Sequence, residues 1–324
     1  MSTAARVPET WELRGDDARA ALRATGKAQL ARDAFTRLRA ADGFSHARSL
    51  AFATSLVLVQ GLIAGVGLAV AFGGLRIGGV VIGALEGALP GPASGVLTGA
   101  VEQANKAGGS GRYLPLLLGL AGTLFTGTTA MGQVERALNR LYGIERDRPT
   151  AAKYGRALLL AVSVGLALGT AFVFLAFGRS ASDPEGLVRT VWAVVRWPLA
   201  LLLAGGALTA MLRFAPNRRQ PGWSWLGLGA ALCVAGWSLV TLLLGAGFAL
   251  SSTFGDTYGP LAGIVALQLW TLVSAAAILY GAAVAAQLAA VRAGAPLPAR
   301  SVMSAAALRE SLTRPDQLAG SLLP

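Results

Sequence analysis

The chain has 324 residues, of which 54% are hydrophobic and only 14% are charged. Soluble domains usually carry about 25% charged residues, so this composition argues against an ordinary soluble protein and favours a membrane protein. The net charge of +12 indicates either nucleic acid or an anionic membrane surface as a partner. The single cysteine, Cys233, excludes an internal disulfide framework.

Residues 1–48 are polar, and we expect no secretory signal in them because no apolar core precedes a small-residue cleavage site. Residues 14–41 are predicted to form one helix. Its apolar stripe comprises Leu30, Ala34, Leu38 and Ala41, with basic side chains, among them Arg37, around it. This pattern is typical of an amphipathic helix that is solvated or lies at a membrane interface. We therefore assign residues 1–48 to a cytosolic, amphipathic N-terminal segment.

Six long apolar segments follow, each long enough to cross a hydrocarbon core of ~30 Å as a helix. They cover residues 49–72, 113–131, 157–177, 191–212, 223–250 and 260–291. The sequence therefore predicts an all-α fold, an integral membrane bundle of six transmembrane helices in one domain, residues 49–292. Residues 293–324 are rich in proline and are predicted to form a flexible cytosolic tail.

In the link between the first two spans, a glycine recurs every four residues from Gly79 to Gly99. On one helix these glycines would form a ridge for close packing, but two prolines forbid an uninterrupted helix. We predict two short amphipathic helices, residues 77–89 and 93–107, at the outer interface or against the bundle. Glycine is common throughout the chain, so chance explains the period equally well.

The distribution of basic residues predicts the orientation. With the N-terminus inside, the inner segments carry 22 Lys and Arg residues and the outer segments carry 5. This asymmetry places both termini in the cytoplasm. It also accounts for the net charge without nucleic acid, because the basic groups face the anionic lipids of the inner surface.

The sequence offers little for enzyme chemistry, and we expect no enzyme, no cofactor and no metal site. The single histidine, His46, lies at the inner edge of the first span, where an interfacial side chain is the simpler interpretation. Hydrolysis at a metal ion usually needs several His, Asp or Glu ligands gathered in one place. Cys233 lies in an apolar span with no second histidine to activate it, which favours a packing role.

A polar face along the second span is the most informative feature. Helical spacing brings together, on one broad face or close beside it, Thr126, Thr129, Gln133, Glu135, Arg136 and Asn139. A helix that faces lipid all round would not carry such a face. Two interpretations remain open: the face lines a transport path, or it joins neighbouring helices through hydrogen bonds.

Three motifs occur in order, with spans between them: ALNRLYGIERDRP from Ala137, RFAPN from Arg213 and FGDTYGPLAGIVALQLW from Phe254. Together they resemble the YihY/virulence factor BrkB family, long mislabelled ribonuclease BN. The resemblance covers residues 42–292. It implies a bacterial inner-membrane protein with about six helical spans, but no settled activity.

Position by position, the family pattern falls on Asn139, Tyr142, Gly143, Pro149, Phe214, Pro216, Asn217, Tyr258 and Gly259. The chain departs from the pattern at Ala53, where an aromatic residue is common, and at Gln60, where a proline is common. These departures put any role of a proline kink in doubt.

We expect membrane transport of a lipid-like or anionic solute, with membrane lipids and a lipid or small-molecule substrate as partners and no nucleic acid. The alternative is a structural or regulatory envelope protein; a ribonuclease is the least favoured. We also predict that two inner corners, residues 137–148 and 213–217, meet and share hydrogen bonds. In this hypothesis Asn139 and Asn217 help to close the cytoplasmic face. The alternative is that Asn217 caps the fourth helix while Asn139 faces water or lipid headgroups.

Overall fold

The computed structural model describes residues 3–71, 113–180, 187–250 and 261–300. Within these ranges the chain forms eight α-helices and no strand. The helices are α1 (Gly15–Thr25), α2 (Lys27–Ala40), α3 (Gly43–Ala71), α4 (Leu114–Leu141), α5 (Thr150–Ser180), α6 (Leu187–Phe214), α7 (Trp223–Leu250) and α8 (Ala262–Arg292). The two short helices predicted at 77–89 and 93–107 lie outside the described residues, as do Tyr258 and Gly259.

The predicted six-span bundle is confirmed, because α3 to α8 are each long and apolar enough to cross a membrane. Successive spans pack side by side, and α8 closes the ring by packing against α3. Several helices extend beyond the predicted apolar segments: α3 begins at Gly43, in the polar sequence before the first span. Pro198 lies inside α6, which continues past it.

Small residues let the spans approach closely. A Cβ atom at Gly119 of α4 would collide with the backbone of Ala64 in α3, and one at Gly122 would collide with the side chain of Gln60. On the other side of the ring, Gly281 of α8 lies against Cys233 of α7, which is fully buried. Helices in lipid associate through such close packing, since burial from water supplies no driving force between them.

The prediction of one helix over residues 14–41 was wrong. The chain breaks at Gly26, whose φ of +79° favours glycine, and forms α1 and α2 instead. The apolar stripe of α2 is not solvated, since Leu30, Ala34 and Leu38 are all buried. Helix α2 packs against α8, so the N-terminal segment forms part of the bundle's core.

Residues near both termini of the described chain and the two corners 142–149 and 215–222 lie at the same end of the bundle. We call this end of the bundle the basic end. Residues 3–13, which we call the N-terminal strap, cross it. The strap's Val7 N–H donates to the Tyr142 carbonyl (3.1 Å), and its Ala4 forms an antiparallel bridge with Ala299. Residues 293–300, the start of the predicted flexible tail, are therefore held against the strap. Residues 301–324 lie outside the described residues.

Arg37 is the centre of this end. Sequence reasoning placed it among the exposed basic groups around α2, but its side chain is fully buried. Its guanidinium donates to the carbonyls of Ala5 (2.8 Å), Leu141 (3.1 Å) and Leu297 (3.2 Å), and to Oε1 of Gln287 (2.7 Å). One side chain thus ties the strap, the end of α4, helix α8 and the segment after α8 to α2.

We predict that Arg37→Met lowers the free energy of unfolding by about 3 kcal/mol, because four acceptors lose their donor in a buried site. The measurement is thermal unfolding of the purified protein in detergent micelles. Arg39→Met, at an exposed position two residues along the same helix, is the control and should change the midpoint little. Equal stability of the two variants would contradict the central role of Arg37.

Candidate functional site at the basic end

The threonines of α4 satisfy their hydroxyl groups within their own helix. Thr126 Oγ1 donates to the Gly122 carbonyl (2.7 Å), and Thr129 Oγ1 donates to the Phe125 carbonyl (2.9 Å). Thr126 is half-buried, as is Gln133 further along the helix, while Thr129 is exposed on the surface of the bundle. The half of α4 that contains these threonines, which we call the threonine half, therefore needs no acceptor from a neighbouring helix for their hydroxyl groups.

Asn139, near the end of α4, connects two corners. It is fully buried, and its side-chain Oδ1 accepts a hydrogen bond from the Asn217 backbone N–H (2.7 Å). Its amide Nδ2 donates to Asp147 Oδ1 (2.9 Å). The Asn217 side chain donates in turn to the Arg146 carbonyl (3.3 Å). The predicted contact between the corners 137–148 and 213–217 is therefore confirmed, with Asn139 at its centre.

Asp147 pairs with two basic side chains beside this contact. Lys153 Nζ lies 2.9 Å from its Oδ2, and Arg136 Nε lies 3.5 Å from the same oxygen. Burial opposes ionisation of Asp147, but the hydrogen bonds from Asn139 and Lys153 outweigh it and hold the carboxyl pKa below its usual value. Asp147 is therefore ionised at neutral pH and holds the loop to the start of α5.

Glu135 and Arg148 form a second link between the corners. Glu135 lies inside α4 with only 2% of its surface exposed, and its Oε1 is 3.2 Å from Arg148 Nη1. The same guanidinium donates to the carbonyls of Ala215 (2.7 Å) and Pro216 (2.5 Å) in the facing corner. The partner of Glu135 is thus a loop residue, Arg148, because the chain turns back after α4.

Tyr142 and Gly143 shape that turn. Tyr142 is buried, and the Arg218 guanidinium carbon lies 4.6 Å from the centre of its ring. Gly143 has a φ of +70°, and a Cβ there would lie 2.6 Å from Arg6 Cα in the strap. Only glycine fits this position without displacing the strap.

The remaining described family positions mark the edges of the site. Pro149 is exposed and directly precedes α5, where its carbonyl accepts from the Lys153 N–H (2.8 Å). The Phe214 ring meets the Trp223 ring edge to face, with centroids 5.8 Å apart. Of the residues that carry the site, sequence reasoning missed Arg148, Arg37 and Arg218, which mostly bond to backbone carbonyls.

The arrangement consists of ion pairs and hydrogen bonds that join separate segments. Within the described ranges no three His, Cys, Asp or Glu side chains are grouped as metal ligands would be. The chemistry of the site is therefore that of a connection which can be made or broken. These features define a six-span membrane protein whose two corners are bonded at one end.

Comparison with known proteins identifies the family. The family model for virulence factor BrkB matches residues 34–304, so the chain belongs to the virulence factor BrkB family. It is 28% identical over 213 residues to YfkH of Bacillus subtilis, which is named ribonuclease-like; the match covers 62% of this chain and 74% of YfkH. No solved structure matches the chain.

Two further relatives are named UPF0761 membrane proteins. The one from Albidiferax ferrireducens is 28% identical over 206 residues, covering 62% of this chain and 46% of the relative. The one from Verminephrobacter eiseniae is 30% identical over 190 residues, covering 55% and 43%. The chain thus spans less than half the length of these two relatives.

We predict that Asp147→Asn lowers the free energy of unfolding by about 1 kcal/mol at neutral pH, since Asp147 is partly exposed and its pairs are partly screened. Its folded pKa is depressed, so its contribution is present above the unfolded pKa of about 3.9 and is lost as pH falls through the folded pKa. The difference between variant and parent should therefore shrink as the pH is lowered from 7 to 3.

The measurement is the unfolding midpoint in detergent across that pH range. Glu145→Gln is the control, because Glu145 lies on the same loop and its side chain forms an exposed ion pair with Arg300 (2.9 Å). A difference for Asp147→Asn that stays constant with pH would contradict the role of its charge.

Proposed function

We propose that the protein transports a lipid-like or anionic solute across the bacterial inner membrane, with its basic end in the cytoplasm. In this proposal the described structure is a state closed at the basic end, and the bonded corners are the gate. The observation that carries it is the ion pair between the buried Glu135 and the half-buried Arg148, which links a membrane-spanning helix to the facing corner.

A buried ionisable group in a membrane helix is expensive and commonly marks a transport path. If the corners only needed to adhere, apolar side chains of similar volume would serve at least as well, because desolvation offsets much of the attraction in a buried ion pair. The pair has a further property that suits a gate. Arg148 pairs electrostatically with Glu135 and donates hydrogen bonds to the carbonyls of Ala215 and Pro216 at once, so its movement would release both sides together.

The proposed solute class follows from charge. Basic side chains cluster at the mouth that would open, including Arg136, Arg148 and Lys153, and only some of this charge is balanced by Glu135 and Asp147. Opening the corners would expose guanidinium and ammonium groups to the entering solute. Such groups bind phosphate and carboxylate groups through charge-assisted hydrogen bonds.

A structural or regulatory envelope protein is the second candidate. Two observations favour it: the threonine hydroxyls bond within α4, and α3 packs closely on α4 at Gly119. In that case the polar groups hold the helices and corners together permanently. The two candidates differ in whether the corners must separate for the protein to work.

A cross-link between the corners tests this difference. Arg146→Cys combined with Asn217→Cys places two thiols at exposed neighbouring positions, while the buried Cys233 stays inaccessible. We expect the protein in liposomes to move fluorescent phosphatidylglycerol or labelled phosphate when the thiols are reduced, and to stop when a short reagent cross-links them. Reduction should restore the movement.

Each single cysteine variant, treated with the same reagent, is the control and should keep its activity. Equal movement of the probe with and without the cross-link would exclude a gate at these corners. If neither probe moves in the reduced protein, the transport proposal fails for both solute classes and the structural role is favoured.

The orientation has its own test. The inner segments carry 22 basic residues and the outer segments 5, which predicts that both chain ends lie in the cytoplasm. Fusions of a fluorescent protein and of alkaline phosphatase, which fold productively on opposite sides of the membrane, give complementary signals. A periplasmic signal from either end would contradict the proposed orientation.

A further inference from the structure

Two aromatic rings pair on the outside of the corner between α2 and α3. The Phe35 ring meets the Phe44 ring edge to face, with centroids 6.1 Å apart. Phe35 is 45% exposed and Phe44 is 44% exposed, although Leu30, Ala34 and Leu38 of the same helix are buried. The pair is therefore not part of the core, and its outer surface faces whatever surrounds the bundle.

Three arginines surround the pair. Arg32 and Arg39 stand three residues before and four residues after Phe35, and Arg48 stands four residues after Phe44. On a helix these spacings put each arginine on the same face as its phenylalanine. All three are exposed, and none forms an ion pair with an acidic side chain of the described residues. The patch therefore carries three unpaired guanidinium groups, with Asp42 as the acidic residue in the turn between the two helices.

The patch continues into the lipid-facing surface of the bundle. From Phe44 and Arg48 the exposed face of α3 runs through Phe52, Leu56, Val59 and Ile63, all with more than a third of their surface exposed. Since α3 is a membrane-spanning helix that begins at Gly43, Phe44 lies at the end of its span. A side chain at the end of a span lies near the level of the lipid headgroups.

We propose that this corner, made of Phe35, Phe44, Arg32, Arg39 and Arg48, is a binding site for one anionic phospholipid. The guanidinium groups bind the phosphate and the anionic headgroup, and an acyl chain lies along the exposed face of α3. A zwitterionic lipid offers the same acyl chains but no net charge for the arginines. This lipid stays bound at the outside of the bundle and is distinct from any solute that passes through the gate.

The geometry suits a lipid better than a soluble anion. The aromatic pair and the stripe from Phe52 to Ile63 offer apolar contacts that only a ligand with a hydrocarbon tail can fill. The guanidinium fork matches phosphate oxygens in pairs, which a hydrated ammonium does less well. The positive charge and the apolar surface thus both favour a ligand that has an anionic headgroup and a hydrocarbon tail.

Native mass spectrometry of the full chain in detergent tests the proposal, with phosphatidylglycerol and phosphatidylcholine as probes. We expect the unaltered protein to prefer phosphatidylglycerol. A basic side chain near an anionic surface contributes about fivefold in affinity, so R32Q, R39Q and R48Q combined should reduce that preference by about tenfold or more. The double variant R32Q and R39Q should lose less of the preference for phosphatidylglycerol. It replaces the triple variant in the test if the triple variant does not purify as a single species.

The matched control removes three exposed arginines elsewhere on the basic end: R23Q, R146Q and R219Q. This variant has the same net charge as the first and should keep the preference for phosphatidylglycerol. If it loses the preference equally, the whole basic end attracts anionic lipid and there is no site at the corner. Equal binding of the two lipids by the unaltered protein would also overturn the proposal.

Discussion

A buried guanidinium without a carboxylate partner holds the basic end of this protein together. Removal of Arg37 from water penalises its charge, and this burial lowers its pKa to about 10, which still leaves it charged at neutral pH. The charge is stabilised by carbonyl dipoles and by Gln287, whose own amide donates to the Pro296 carbonyl (2.6 Å). The strap, α4, α8 and the segment after α8 are joined through this one side chain, since each supplies an acceptor for it.

Other arginines at the basic end also donate hydrogen bonds to backbone carbonyls. Helices α4, α6 and α8 all finish there, and the last turn of a helix leaves carbonyl groups without intrahelical donors. Arg37 donates to the carbonyl of Leu141, the last residue of α4. Arg140 donates to that of Ile144 in the following corner, and Arg148 to that of Ala215, directly after α6. A cation at a helix C-terminus also interacts favourably with the helix dipole. Some of the basic residues that predict a cytoplasmic side therefore also stabilise the fold, because they donate hydrogen bonds to carbonyls at or near the ends of the spans.

This dual role explains what sequence reasoning could and could not reach. The six spans follow from apolar length, and the meeting of the corners follows from Asn139 and Asn217 at chain turns on one side of the membrane. The burial of Arg37 was missed, because a backbone carbonyl acceptor leaves no signal in the sequence. The partner of Glu135 could not be predicted for a related reason: helical spacing relates neighbours on α4, but the turn at Gly143 brings back a residue from outside the helix.

The division of α4 into two halves locates where a rearrangement would be costly. Its threonine half keeps its side-chain hydrogen bonds during a rotation or a slide, because donor and acceptor belong to the same helix. Its other half cannot move without separating Asn139 from Asn217, or Glu135 from Arg148. A buried polar group that loses its partner costs about 1–3 kcal/mol, and more when it is charged. The free-energy cost of moving α4 is therefore concentrated at the bonded corners. Such a cost is expected both for a gate and for a permanent connection between the corners.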